Sequence, residues 1–168
     1  GSMLAAVITT TERVPQFTTH TNYYQTLVDS IISQQLSVKA AASIQRHFNA
    51  LFGSEAIIPS PELIVTSDIE TLRTAGLSRP KATYILDLAQ KTIDGTISFD
   101  HLGQLSNEAV IAELTQVKGI GEWTVHMFLM FCMGRLDILP VGDLGIRNGV
   151  TKLYQLPTVA TPEDVRRI

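Results

Sequence analysis

Val117-Lys118-Gly119-Ile120-Gly121-Glu122-Trp123-Thr124 is followed, past Pro140, by Gly142-Asp143-Leu144-Gly145. The first of these lies between two helix-patterned segments. Two glycines separated by one residue permit a tight turn in which the N–H groups opening the next helix point outward, and the helix dipole favours an anionic oxygen there. The pair of segments thus predicts a phosphate clamp built from main chain, with a carboxylate nearby. A Gly-x-Gly turn alone is more often a plain connection between helices, so its flanks matter.

Leu114 and Val117 precede the turn, and Val125, Phe128 and Leu129 follow it, supplying apolar positions on both arms. Two short helices can pack across the glycines as one unit, which resembles a helix-hairpin-helix motif. Other helical stripes run on either side. Tyr24, Leu27, Val28, Ile31 and Ile32 recur at three- and four-residue steps, as do Val38, Ala41, Ile44, Phe48 and Leu51. These predict two amphipathic helices joined at Ser33-Gln34-Gln35-Leu36-Ser37.

Ser60-Pro61-Glu62 marks a helix start, and Ser67-x-x-Glu70 predicts a capping box closed downstream by Gly76. Ala82, Ile85, Leu86, Ala89 and Ile93 form a long stripe between Ser78 and Gly95, and Ser106 opens a helix through Leu114. A helix through Met133, one from Asp143 to about Tyr154, and one opened by Thr161-Pro162-Glu163-Asp164 complete the series. No convincing period-two alternation occurs, so the chain is expected to be all-α, with two helical lobes around a cleft, residues 1–168 forming one domain. Residues near both ends are expected to pack with that cleft. Gly1-Ser2, ahead of Met3, reads as a remnant of tag cleavage and is set aside.

With 168 residues, 45% of them hydrophobic, the chain can bury a substantial core. No apolar run reaches the ~18–20 residues of a membrane span, and no basic-then-apolar leader opens it, so an intracellular protein is expected, in a bacterial cytoplasm or a nucleus. Cys132 is the single cysteine, which excludes a disulfide framework and a four-thiolate cluster, and its apolar surroundings predict a core position. His20, His47, His101 and His126 lack metal-ligand spacing and read as surface or packing residues. The net charge of −3 is unusual for a nucleic-acid partner, but Lys118, Arg135, Arg147 and Lys152 cluster in sequence around the hairpin. Each is as readily a solvated surface cation.

Asp143 precedes a helix-patterned segment and reads first as an N-cap. The roles of cap and reactive group are compatible, because helix N-terminal donors keep a carboxylate ionised at neutral pH, the state that stabilises a cation or orients water. Trp123, usually a core residue type, could here form one wall of a slot for a flat, electron-poor base, where stacking would select positively charged bases.

Taken in order, Ile32-Ser33-Gln34-Gln35-Leu36-Ser37-x-x-Ala40-Ala41, Gly76-Leu77-Ser78-x-x-Lys81-Ala82-x-Tyr84, Leu114-x-x-Val117-x-Gly119-Ile120-Gly121-Glu122-Trp123-Thr124 and Leu139-Pro140-x-x-Asp143 resemble the helix-hairpin-helix DNA glycosylase superfamily, specifically 3-methyladenine DNA glycosylase II, from about Tyr24 onward. The resemblance implies a monomeric enzyme that binds damaged double-stranded DNA from the minor groove, flips out an alkylated purine and hydrolyses its N-glycosidic bond without a cofactor. It implies Asp143 as the catalytic carboxylate and Trp123 and Met127 as base-pocket residues. Gln35, beside Leu36, would fill the gap left by the flipped base, and Lys118, Gly119, Gly121, Glu122 and Thr124 would contact DNA. Main-chain carbonyls of Thr115, Val117 and Ile120 would hold a structural monovalent cation, Na⁺ or K⁺.

Two departures from the family pattern stand out. Larger members carry an N-terminal β-rich lobe for which this chain has no room, implying a compact form. Members also continue into a further helix with aromatic residues near the pocket, whereas this sequence stops at Arg166-Arg167-Ile168, implying a cut chain or a more open pocket. A non-catalytic binder of abasic or distorted DNA that retains the hairpin and Gln35 is a second reading, and a helical protein-interaction module a third.

Overall fold

The computed structural model describes residues 2–10 and 22–168, and among these every regular element is helical, with no strand. The helices are α1 Ser2–Thr10, α2 Tyr23–Ser33, α3 Val38–Ala50, α4 Pro61–Ile64, α5 Ile69–Arg73, α6 Arg79–Ile93, α7 Asn107–Leu114, α8 Glu122–Phe131, α9 Leu144–Leu153 and α10 Pro162–Arg167. A 3₁₀ turn, Leu102–Gln104, precedes α7. His20 lies outside the described residues.

Most helix starts follow from side-chain caps. Asn22, Ser37, Asp68, Ser78, Ser106, Asp143 and Thr161 each accept a backbone N–H from the first turn they open, satisfying donors that the helix itself leaves unpaired. At α5 the cap is Asp68, bonded to Thr71 N at 2.7 Å, and the box expected between Ser67 and Glu70 does not form. The neighbouring carboxylate is the better-placed acceptor by one residue. At α10 the reciprocal box forms, with Thr161 and Asp164 each accepting the other's backbone N–H.

The core is shared by α2, α6, α7 and α8. Leu27, Val28 and Ile31 of α2, Ile85 and Leu88 of α6, Val110 and Leu114 of α7, and Val125 and Leu129 of α8 are fully buried. Burial of a side chain of this size contributes about 1.5–3 kcal/mol. All five apolar residues flanking the hairpin glycines are within this core, as the sequence pattern requires. α4 and α5 pack on α6, α2 packs on α3, and α10 packs on α9.

Three expectations need correction. The stripe on α3 is not mainly a core stripe: only Phe48 of it is buried, Val38 is 88% exposed, and Val38 and Ala41 instead line a cavity shared with α2 and α8. On α6, Ile93 is exposed while Leu88 takes its place in the core. Residues 5–10 of α1 are exposed throughout, so the expectation that both ends pack with the cleft does not hold for α1.

Candidate nucleic-acid and base-binding site

The hairpin is seated on α6 by residues that the glycine pattern alone does not reveal. Asp87 accepts the backbone N–H of Lys118 at 2.9 Å and pairs with the Lys91 ammonium at 2.6 Å; Lys91 also donates to Gln116 O at 2.8 Å. These hydrogen bonds and two nearby cations hold the Asp87 carboxyl below its ordinary range against the opposing effect of its burial. The Lys118 amide therefore faces inward, and its ammonium sits 3.7 Å from Asp87. Arg135 and Arg147 are likewise committed internally, to Asn107 and Leu102 O and to Ala160 O. Of the four cations singled out in sequence, Lys152 alone has no internal contact among those described, and it is exposed.

The two glycines have different work. Gly119 has φ +78°, and a Cβ there would lie 2.1 Å from Tyr84 Cδ2, so the α6 ring packs where a side chain would go. Gly121 has an extended φ of −95° and nothing of the protein within 4 Å of a Cβ position. It is the N-cap of α8, where it supplies no side-chain cap. The first amides of α8 are thus left for an outside acceptor at the positive end of the helix. Glu122 opens this helix with an exposed carboxylate 3.6 Å from His126 Nε2.

A second loop is tied to the hairpin. Gln34 donates its Nε2 to Gly119 O at 2.9 Å, and Lys81 donates to Ile32 O and Gln34 O at 2.7 and 2.6 Å, satisfying carbonyls at the end of α2. Between these anchors Gln35 adopts φ +57°, which costs a non-glycine residue about 1–2 kcal/mol. Gln35 and Leu36 are both exposed, on a loop whose neighbours are pinned.

Asp143 lies in the turn after Pro140. Pro140 is buried and its carbonyl accepts Asp143 N at 2.8 Å, fixing the residue at the head of α9. Oδ1 accepts Ile146 N at 3.0 Å, and Oδ2 accepts the indole N–H of Trp123 at 2.7 Å. The Trp123 bond, then the helix N–H groups, hold the carboxyl below its usual range, so it is ionised at neutral pH. The indole thus takes a role the sequence did not announce: Trp123 is 53% exposed, not core, and its N–H is directed at the carboxylate.

Because the Trp123 hydrogen bond is the leading cause of the lowered pKa, Trp123→Phe should raise it. The sign is fixed: ionisation is retained above the lowered pKa and lost as pH falls through it. A ¹³C titration of the Asp143 carboxyl should show its midpoint moving to higher pH in the variant. An unmoved midpoint would rule out the indole as the main support of the charge.

Two cavities flank α8. One, of about 240 Å³, includes Glu122, Trp123, His126, Val141, Gly142 and Arg166 on its walls. The other, of about 600 Å³, lies between α2, α3 and α8 and takes in Met127 and Thr124 together with Phe128 and Phe131. Trp123 and Met127, paired in the sequence reading, therefore line different cavities, and Thr124, in the first turn of α8, also lines the cavity of Met127. Asp143 belongs to neither wall. Cys132 is buried on the larger cavity with Sγ 3.5 Å from Thr26 Oγ1, in keeping with a packing role.

The chain is 41% identical over 139 residues to DNA-3-methyladenine glycosylase 1 of Schizosaccharomyces pombe, covering 82% of this chain and 60% of that one. It is 33% identical over 137 residues to a putative DNA-3-methyladenine glycosylase of Bacillus subtilis, covering 79% and 48%. The chain thus spans about half to three-fifths of the length of these relatives. Among solved structures, a Bacillus halodurans DNA-3-methyladenine glycosidase superposes with a TM-score of 0.87 at 37% identity, covering 99% of this chain and 75% of that one. The S. pombe 3-methyladenine DNA glycosylase in complex with abasic DNA gives 0.76 at 36%, covering 99% and 80%. Residues 28–168 match the family described as HhH-GPD superfamily base excision DNA repair protein, and the chain belongs to that superfamily.

Proposed function

We propose that this protein is a monofunctional DNA glycosylase that hydrolyses the N-glycosidic bond of alkylated purines in duplex DNA. The observation that carries the reading is the Asp143 carboxylate, ionised and aimed by Trp123 and Ile146, next to a helix end left open by Gly121. The amides of α8 take a backbone phosphate without reading sequence, and Gln35 on its pinned loop enters the duplex where a nucleotide leaves. An N-alkylated purine is cationic and departs as a neutral base with little help from an acid. As the C1′–N bond breaks, the carboxylate stabilises the oxocarbenium-like sugar, and water adds to C1′.

The turn carbonyls of Thr115, Val117 and Ile120 are neutral hard oxygens of the kind a monovalent cation takes. Val117 O already accepts Ile120 N at 3.1 Å and keeps a second lone pair. A bound Na⁺ or K⁺ there would stiffen the hairpin and take no part in the chemistry. Among the described residues no helix is long and apolar enough to cross a membrane.

The test is incubation with methylated duplex DNA, chromatography of the released bases, and borohydride trapping in parallel. Free methylated purine and an intact abasic strand are expected. Among the described residues no amine is paired with Asp143, whose partners are the Trp123 indole and the Ile146 amide, and Lys118 is paired with Asp87, so no Schiff base with C1′ should form. A protein–DNA adduct would exclude the monofunctional assignment, and absence of any released base would exclude catalysis.

A further inference from the structure

We propose that Asp29 is a specificity-determining residue of this reaction, placed on the wall of the α2–α3–α8 cavity to favour a cationic purine over a neutral one. The proposal rests on the glycosylase reading above and adds a residue to it. The cavity, about 600 Å³, falls within the ~300–1,000 Å³ of small-ligand sites. Its walls are mostly apolar, including Met127, Phe128 and Phe131 from α8 and Ala41 from α3. Met127 is one helical turn beyond Trp123, so α8 carries both the support of the catalytic carboxylate and the wall of this cavity.

Asp29 is the one charged side chain on the described wall. From α3 the lining contributes only neutral groups, Gln45 being the most polar; from α8 and its C-cap the sole titratable group is Cys132, buried beside Thr26; and α2 adds the hydroxyls of Ser30 and Ser33. Among the described residues no cation lines this wall to neutralise the carboxylate. A flat base carrying a fixed positive charge would supply one, while aromatic and thioether edges accept its faces. A neutral purine gains nothing from the charge and must strip water from it.

Asp29 is exposed to solvent, yet partial burial of its carboxyl group pushes it up to about 6. Its charge therefore appears as pH rises through about 6, which places the selectivity in a measurable window. Below that value the protonated group can donate a hydrogen bond to a neutral base instead.

The experiment measures single-turnover excision of 3-methyladenine, a cation with no ring N–H to lose, and of hypoxanthine, which is neutral, from otherwise identical duplexes between pH 5 and 8. Wild type and Asp29→Asn are compared. For wild type, the ratio of cationic to neutral excision should climb as pH passes 6. Asp29→Asn should lower 3-methyladenine excision about tenfold at pH 7.5, leave hypoxanthine within about twofold, and give a ratio flat with pH, as expected for loss of one partly screened charge pair. Equal rates for both proteins, or equal losses on both bases, would overturn the assignment while leaving the glycosylase reading intact. Wild-type protein that releases neither base would overturn both.

Discussion

Asp143→Asn should lower release of an alkylated purine by about 10²–10³-fold, the scale on which removing one oriented electrostatic group acts in a closed site. Binding to an abasic-site duplex should stay within a few fold, because in the proposed mechanism the residue faces the reacting sugar and not the phosphates. The structure adds a further expectation. Asp143 accepts one donor at each oxygen, Ile146 N and Trp123 Nε1. An asparagine has a single acceptor oxygen, and its amide nitrogen would face whichever N–H is left. Asn remains a good N-cap, so the helix bond to Ile146 should survive and the indole bond should go, at a stability cost of about 1 kcal/mol. Trp123 is the only tryptophan in the chain, so its fluorescence reports this release directly. Single-turnover kinetics, an abasic-duplex titration and the emission spectrum together check the claim, and wild-type excision rates would remove Asp143 from the chemistry.

The second large effect separates two glycines that look alike in sequence. Gly119→Ala must put its Cβ 2.1 Å from the Tyr84 ring and hold φ at +78°, so a stability loss of about 2–5 kcal/mol is expected, most of it from the clash and the rest from the backbone. For a chain of this size each kcal/mol lowers Tm by roughly 2–4 °C, which thermal unfolding resolves easily. At Gly121 a Cβ meets nothing within 4 Å beyond its chain neighbours. Gly121→Val should therefore fold with a loss near 1 kcal/mol for a poor cap, yet, on the clamp reading, weaken binding of damaged and undamaged duplex alike by about tenfold or more, because bulk would stand where a phosphate approaches. Normal binding by folded Gly121→Val would refute the clamp at this helix end.

Much of the architecture was legible because it depends on short-range rules. Helix starts at Ser78, Ser106, Asp143 and Thr161, and the apolar arms of the hairpin, follow from local pattern and reappear in the structure. What stayed hidden depends on which distant elements meet. Asp87 looks like any polar residue on an amphipathic helix until the hairpin amide of Lys118 is laid against it. Lys81 and Tyr84 stand within a motif quoted from the sequence, but nothing local says that one binds the carbonyls of the Gln34 turn and the other fills the space over Gly119. The α3 stripe shows the converse: Val38 and Ala41 have helical periodicity, but period alone does not distinguish a core from the wall of a cavity. For Trp123 the residue type suggested a stacking surface, and its polar edge proved equally informative.

The left-handed backbone at Gln35 sets evolution and engineering at odds. Glycine would relieve the unfavourable dihedral, and a search that ranks variants by heat resistance alone would tend to enrich it. The same change would erase the side chain that the loop, pinned by Gln34 and Lys81, holds out to solvent. If Gln35 enters the duplex as proposed, selection for robustness and selection for grip on a distorted helix pull this position in opposite directions, and a thermostabilised descendant carrying glycine there would be a sturdier molecule less able to keep a nucleotide out of its stack.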